Sequence, residues 1–567
     1  MLRLAPLRRA APTPLNRAAV YLRQSSTASP VADTKPYYVT TPIFYVNAAP
    51  HIGHLHSMVY ADLFKKWHAW ADPARPTFLT TGTDEHGMKV QHAANAAGVP
   101  TRPFVDAAAA KFQALASHAD IAADRFIRTT DADHLRASQE LWRKLQDNGY
   151  IYKGEHSGWY CVSDETFYPE TQVERDPESG QMLAKETGKV VEWTSEENYF
   201  FALSKIQPQL LRFLQENEKF ILPRSRYTQI VREVTEGLED LSISRPKSRC
   251  NWGIPVPGDN SQVMYVWLDA LTNYLTSAGF PDTPIEQSFW PANVHVIGKD
   301  IIRFHGIYWP AFLLAAQLPP PQQLVVHCHW TMLGSKMSKS LGNVVDPIEI
   351  LDRYGIDSVK FFLANDSYLN HDSDYENERI VERHNNFLLN KYGNLVTRLC
   401  GPKFDLPRAV KSIDRMADLP ETPLAREVDG LVKTVSANME NALTAPALSA
   451  VQDLVANANN FLATHEPWKL RKDPAAQDAI FRVAAEAARV ASLVLVPFIP
   501  GIANRVLDRL AVAPEMRGIE HARYGADLTY GVGANRKGDH PVQALLLEDG
   551  TKSRGWAREE VAAAKEN

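Results

Sequence analysis

The sequence predicts an α/β fold, a Rossmann-like doubly wound sheet split by an inserted domain and followed by an all-α bundle. Three observations predict it. Runs rich in aromatic and β-branched residues alternate with glycine turns and helix-period segments over the first third. A turn-rich stretch from about 145 to 255, with Asp176-Pro177-Glu178-Ser179-Gly180 in its middle, interrupts that alternation. From about 376 the apolar spacing is helical to the end of the ordered chemistry.

The elements follow in order. Tyr37 to Phe44 (YYVTTPIF) reads as a buried strand. Pro50 and Gly53 mark a turn. Ser57 to Trp70 has apolar residues at 59, 60, 63, 64 and 67, which is helical spacing. Thr77 to Thr81 is a second strand, ending at Gly82. Strand, glycine turn, helix and strand open a doubly wound sheet, in which ligands sit at the carboxyl ends of the strands. After the interruption, Val263 to Asp269, Val294 to Ile297 and Leu324 to His327 return to buried-strand character. Asn377 to Cys400 carries apolar residues at 380, 381, 387, 388, 392, 395, 396 and 399, one helix face over six turns. Further helices fit 424–443, 446–463 and 474–496, and a polar tail starts near 548.

Composition narrows the class. At 567 residues, with 45% hydrophobic and 22% charged residues, the chain is globular and long enough for three or four domains. No apolar run reaches the roughly 18–20 residues of a membrane span. Cys161, Cys250, Cys328 and Cys400 are far apart in sequence, which excludes a local Cys-x-x-Cys pair and a disulfide framework. The net charge of −5 is unevenly placed. Residues 1–32 hold Arg3, Arg8, Arg9, Arg17 and Arg23 with no lysine or acid, so the remainder carries −10. Such a balance does not advertise a nucleic-acid binder; any polyanion must be met by local patches. An Arg-rich, Ser/Ala-rich, acid-free leader is similar to a mitochondrial transit peptide.

Two signatures carry chemistry. Pro50-His51-Ile52-Gly53-His54 joins a strand to a helix. Gly53 lets a flat ring approach the backbone, two imidazoles lie on one side of the helix start, and the free N–H groups there favour phosphate. Lys336-Met337-Ser338-Lys339-Ser340, ahead of Leu341-Gly342-Asn343, places two ammonium groups on a glycine-flanked loop suited to clamping phosphates. Either string alone is weak. Together, in this order and 285 residues apart across a split α/β domain, they are strong.

These residues resemble the HIGH and KMSKS signatures of class I aminoacyl-tRNA synthetases, and the surrounding text resembles the methionyl-tRNA synthetases over nearly all of 37–500. Supporting strings are Thr41 to Asn47 (TPIFYVN), Gly82 to Gly87 (GTDEHG), Trp252 to Pro255 (WGIP), Tyr265 to Ala270 (YVWLDA), Gly298 to Ile301 (GKDI) with Phe304-His305, and His465 to Trp468 (HEPW).

The resemblance implies ATP-dependent ligation of L-methionine to tRNA(Met) through a methionyl-adenylate, with Mg²⁺ arriving on ATP, in the mitochondrial matrix. It implies these parts: a transit peptide (1–34), a catalytic first half (35–145), an inserted connective domain (146–255), a catalytic second half (256–330), a lysine-loop and stem-contact region (331–375), a helical anticodon-binding domain (376–530) and a tail (531–567). His51, His54, Lys336 and Lys339 are the implied catalytic residues. With Gly53, Gly298 and Asp300 they are the implied ATP site; Asp300 also reads as a helix N-cap. Asp84 is the implied partner of the methionine ammonium. Ile43, Tyr45, Trp267, Ala270, Leu271, Tyr274, Ile301 and His305 are its implied side-chain pocket. Trp267, Ala270, Leu271 and Tyr274 fall at i, i+3, i+4 and i+7, a face that lines either a core or a pocket. Asn386, Asn390, Asn394 and Arg398 repeat every four residues; the resemblance places Asn390 and Asn394 on the anticodon and stacks Trp468 on one of its bases.

Many relatives carry zinc knuckles in the insertion. Here Cys161 stands with Asp164 where a second cysteine would be, and no partner pair follows, so no structural zinc is expected. His327, Cys328 and His329 read as strand residues facing alternate sides. A monomer is expected. The competing readings are a class I synthetase for cysteine, leucine, isoleucine or valine, a small-molecule adenylyltransferase, and a non-catalytic tRNA-binding derivative. The first lacks a catalytic-domain zinc set or a long enough insertion, the second needs no helical domain, and the third should have lost His51, Lys336 or Lys339.

Overall fold

The structure is a computed structural model that describes residues 35–547, apart from 162–165, 169, 178, 186, 333, 337–344, 403, 412–421 and 535–539. The leader, the lysine loop from 337 and Asp164 therefore lie outside the described residues. The chain divides into Met1–Lys35 and Pro36–Asn567, and the fold is that of the second unit.

Among the described residues, six parallel strands form the central sheet: β1 (Tyr37–Tyr45), β2 (Thr77–Asp84), β3 (Arg125–Arg128), β4 (Ile221–Leu222), β5 (Val294–Gly298) and β6 (Leu324–His327). Their order is β3-β2-β1-β5-β6-β4. The order reverses between β1 and β5, which pair in parallel at Val39–Val294 and Thr40–His295. In a doubly wound sheet that reversal opens a crevice at the carboxyl ends. Strand β1 carries Pro42, which cannot donate to a ladder, and its register against β2 shifts between Thr40 and Ile43. Helix α1 (Ile52–Ala71) then lies on the sheet and buries Val59, Tyr60, Leu63, Phe64 and Trp67, the five positions its periodicity marks.

Two expectations are corrected. Val263 to Asp269 is not a strand of the parallel sheet. A strand ends at Met264, pairs antiparallel with Ser244–Pro246, and gives way to a helix over Val266–Ser277. Six consecutive apolar residues, Val263 to Leu268, fit either state, and the i, i+3, i+4, i+7 face beyond them decides it. The sheet also gains β4 from within the range read as the insertion; two residues are too few to carry a periodic signal. The insertion itself is antiparallel, with Ile151–Cys161 paired along Glu192–Phe201.

Three further helices matter here: α2 (Ala132–Asp147), α3 (Val266–Ser277) and α4 (Ile356–Asn365). Lys360 of α4 donates to Asp62 of α1 at 3.0 Å, both buried, and so ties the region after the lysine loop to the first helix. The C-terminal helices Pro423–Glu440, Thr444–His465 and Pro474–Leu495 follow the expected spans closely. The first predicted helix is continuous but not uniform: α-helical over Asn377–Arg383, π-helical over His384–Gly393, and α-helical over Asn394–Leu399. Among the described residues no helix is long and apolar enough to cross a membrane.

Candidate active site

The crevice at the strand reversal is a cleft of about 590 Å³. Its walls come from the ends of β1, β2, β5 and β6, the start of α1, and one face of α3. His51, Gly53, His54, Gly298 and Asp300 line it, as do Asp84, Ile43, Tyr45, Trp267, Ala270, Leu271, Tyr274, Ile301 and His305. Residues separated by more than two hundred positions thus converge on one cavity.

The start of α1 is capped by its own two imidazoles. His51 Nδ1 accepts from Gly53 N–H, and His54 Nδ1 accepts from His51 N–H, each at 3.1 Å. The rings stack with centroids 3.8 Å apart. An Nδ1 that accepts carries no proton, so each neutral ring holds its hydrogen on Nε2. Burial, and then the neighbouring His51, push the His54 imidazole well below its usual range. The helix start therefore presents two uncharged Nε2–H donors at the positive end of the α1 dipole, which together favour an anion. Gly53 is required for the cap: a Cβ there would lie 2.9 Å from His51 Cε1.

On the opposite wall, His305 donates Nδ1–H to the Ile301 carbonyl at 3.0 Å, which leaves Nε2 to accept from the Tyr274 hydroxyl at 2.7 Å. Trp267 stacks on Phe304 at 3.5 Å. The side-chain pocket is thus apolar and aromatic, with its one buried hydroxyl–imidazole pair satisfied internally. Asp84, 7% exposed, ends β2 beside Tyr45, its register partner on β1. Gly298 has no Cβ because Asp300 Oδ1 lies 2.7 Å from where one would stand.

Several cleft residues were missed by sequence reasoning: His56, Ser57, Lys89, Asn273, His327 and His329. His327 closes β6, donates to the Cys328 carbonyl at 2.9 Å and accepts from Ser57 at 2.8 Å. His329 lies beyond the strand and pairs with Asp300 at 3.1 Å, so the reading of 327–329 as one strand holds only for its first residue. The rule that ligands sit beyond strand ends could have found them. Cys328 Sγ donates to the Leu369 carbonyl at 3.2 Å. Among the described residues no three His, Cys, Asp or Glu side chains are placed to hold a metal ion.

Burial pulls both the His305 and His327 imidazoles down to about 4. Unfolded, they titrate near 6.5, so the unfolded chain takes up protons first as pH falls. Their contribution to stability is complete above pH 6.5 and is lost between 6.5 and about 4, on the order of 3 kcal/mol per ring. The melting temperature is expected to fall steadily over that window, and a His327→Gln variant to show a shallower fall. Equal slopes would disprove it.

Lys336 pairs, through its backbone, in a short antiparallel hairpin with Thr331; Lys339 lies outside the described residues. Asn386, Asn390, Asn394 and Arg398 do not line the cleft and are all exposed. Arg398 lies over the Trp468 ring at 5.9 Å, and Asn394 donates to the Asn390 carbonyl at 3.0 Å while its Oδ1 meets His540 at 3.2 Å.

With that geometry in place, comparison with known proteins is specific. Residues 37–400 match the family model of tRNA synthetases class I (M), and residues 415–531 match the anticodon binding domain of methionyl tRNA ligase. A probable mitochondrial methionine–tRNA ligase of Neurospora crassa is 43% identical, covering 94% of this chain and 89% of that protein. The human mitochondrial methionine–tRNA ligase is 40% identical, covering 94% and 93%. The structure of Mycobacterium tuberculosis methionyl-tRNA synthetase in complex with methionyl-adenylate superposes with a TM-score of 0.80 at 41% identity, covering 88% of this chain and 97% of that one. The fold is therefore shared with that structure, and the chain belongs to the methionyl branch of the class I aminoacyl-tRNA synthetases.

Proposed function

We propose that this chain activates L-methionine with ATP and transfers the methionyl group to tRNA(Met) in the mitochondrial matrix, working as a monomer. The observation that carries the reading is the convergence of an anion site, a carboxylate and an aromatic slot in one cleft of a chain of this family. The catalytic halves are 35–145 and 256–330, with anticodon reading in 376–530.

The methionine carboxylate attacks the α-phosphorus of ATP in line, and pyrophosphate leaves. A carboxylate is already a nucleophile, so the step needs placement and charge stabilisation, not a general base. The Nε2–H groups of His51 and His54 hold triphosphate oxygens without adding charge. Lys336 and Lys339 close on the α-phosphate and the leaving pyrophosphate. Gly298 and Asp300 face the nucleotide ribose, and Asp84 takes the α-ammonium. Magnesium arrives as part of the ATP substrate. In the second step a ribose hydroxyl at the tRNA 3′ end, the 2′ in class I relatives, takes the acyl group and AMP leaves. Asn390, Asn394 and Trp468 read the anticodon by amide hydrogen bonds and stacking.

Methionine-dependent exchange of pyrophosphate into ATP tests this, run beside leucine, isoleucine, valine and cysteine and with Lys339→Ala. Exchange with methionine alone, largely lost in the variant, is expected; exchange with another amino acid overturns the pocket assignment. A Tyr274→Phe variant leaves the buried Nε2 of His305 without its donor, at about 1–3 kcal/mol. Its KM for methionine is expected to rise about tenfold with KM for ATP unchanged.

A further inference from the structure

Helix α3 has a second face. Trp267, Ala270, Leu271 and Tyr274 wall the cleft, whereas Asp269 lies off that face and is fully buried. A buried carboxylate is costly unless each oxygen finds a donor. Here two imidazoles supply them from two other elements. His86 Nδ1 reaches Oδ2 at 2.7 Å, and His134 Nε2, from the first turn of α2, reaches Oδ1 at 2.7 Å. His134 Nδ1 also meets Thr276 Oγ1 at 3.1 Å, two turns farther along α3. Burial alone pushes the Asp269 carboxyl up, but His86 and His134 outweigh it and hold it below the usual carboxylate range.

The loop that supplies His86 follows directly on Asp84, the last residue of β2. Its other side is fixed to a separate set of groups. Glu85, fully buried, takes Arg128 in a two-pronged pair at 2.6 and 2.9 Å, its carbonyl accepts from Trp252 Nε1 at 2.6 Å, and Gly87 N–H donates to the Trp252 carbonyl at 3.1 Å. His86 bonds this loop to α3. One end of an amino-acid substrate would meet the loop and the other end α3.

We propose that the His86–Asp269–His134 array is a gauge: it fixes the separation between Asp84 and the aromatic face of α3, and so sets which side-chain length the cleft accepts. The three are positioning residues; none of them touches the reacting atoms. The inference rests on the reading that Asp84 holds the α-ammonium and α3 the side chain. Loosening the array should weaken the amino acid, which spans the two elements, and spare ATP, which does not.

Exchange kinetics with methionine, ATP and the one-carbon-longer analogue ethionine test it in His86→Ala and His86→Asn. In His86→Ala, KM for methionine is expected to rise about tenfold and KM for ATP less than about twofold. The ethionine-to-methionine ratio of kcat/KM is expected to rise at least about threefold, since a looser gauge discriminates a methylene less well. His86→Asn keeps an N–H donor and is expected to bring KM for methionine to within about threefold of the parent. Equal rises in both KM values, an unchanged ethionine ratio, or His86→Asn no better than His86→Ala would each overturn the gauge. Should His86→Ala not fold, Thr276→Val removes the partner of His134 Nδ1 while keeping every charge. A selective rise in KM for methionine of about threefold supports the gauge there, and no rise overturns it. Parent protein that exchanges with no methionine dependence defeats the functional reading and the gauge together; parent exchange with unshifted variants defeats the gauge alone.

Discussion

Replacing His54 with alanine is expected to lower the turnover of methionine-dependent pyrophosphate exchange by about 10²–10³-fold, the usual cost of one preorganised donor to a developing negative charge. Two losses combine. The Nε2–H donor at the start of α1 disappears, and so does the acceptor for His51 N–H, which is half of the reciprocal cap. The cap costs stability of about 0.5–2 kcal/mol, so the melting temperature should move by only several degrees. His54 is held well below its usual range by burial. The exchange rate of the parent should therefore show no inflection from the His54 ring between about pH 6.5 and 8.5, a window above the unperturbed imidazole value. A loss below tenfold in His54→Ala would remove this ring from the nucleotide site.

Asp84→Ala is expected to have the second large effect, on the other substrate. The carboxylate is 7% exposed at the end of β2, where few waters compete for an incoming ammonium. Removing one partner of a buried charge pair costs about 3–5 kcal/mol, so KM for methionine should rise by 10²-fold or more while KM for ATP stays within about twofold. Asp84→Asn keeps an acceptor oxygen and should lose less. Steady-state exchange with each substrate varied in turn separates the cases. Equal loss for both substrates would place Asp84 in the scaffold and leave the ammonium without its assigned partner.

Much of this site could be read from local text because its residues cluster at element ends. His51, Gly53 and His54 sit in one five-residue string, Asp84 closes a strand, and Gly298 with Asp300 opens the next turn. Helix α1 and the C-terminal helices were legible for a different reason: their apolar periodicity is long enough to exclude a strand. What stayed hidden depends on distant partners. Ser57 and His327 form a 2.8 Å hydrogen bond across 270 residues, and each alone looks like ordinary packing. Strand β4 has only two residues, and Val263 to Leu268 is apolar throughout, so neither carries a period that could place it. Asp269 is the strongest such case. Its sequence neighbours explain nothing, and its meaning comes only from His86 and His134 converging on it.

The π-helical stretch at His384–Gly393 has a consequence for chain length. Residues four apart overshoot a turn of α-helix by about 40°. In a π-helix, whose bonds run to i+5, the same four residues fall short of a turn. A stripe repeating every four residues would wind around a pure α-helix, but opposite errors cancel where the two types adjoin. Asn386, Asn390, Asn394 and Arg398 thus remain on one exposed side. Deleting a single residue between Arg383 and Asn394 would let the segment close into regular α pitch and remove the offset that keeps the stripe on one side. This segment should tolerate exchange of its residue types better than any change in their number, behaving as a phase-setting spacer rather than as an ordinary helix.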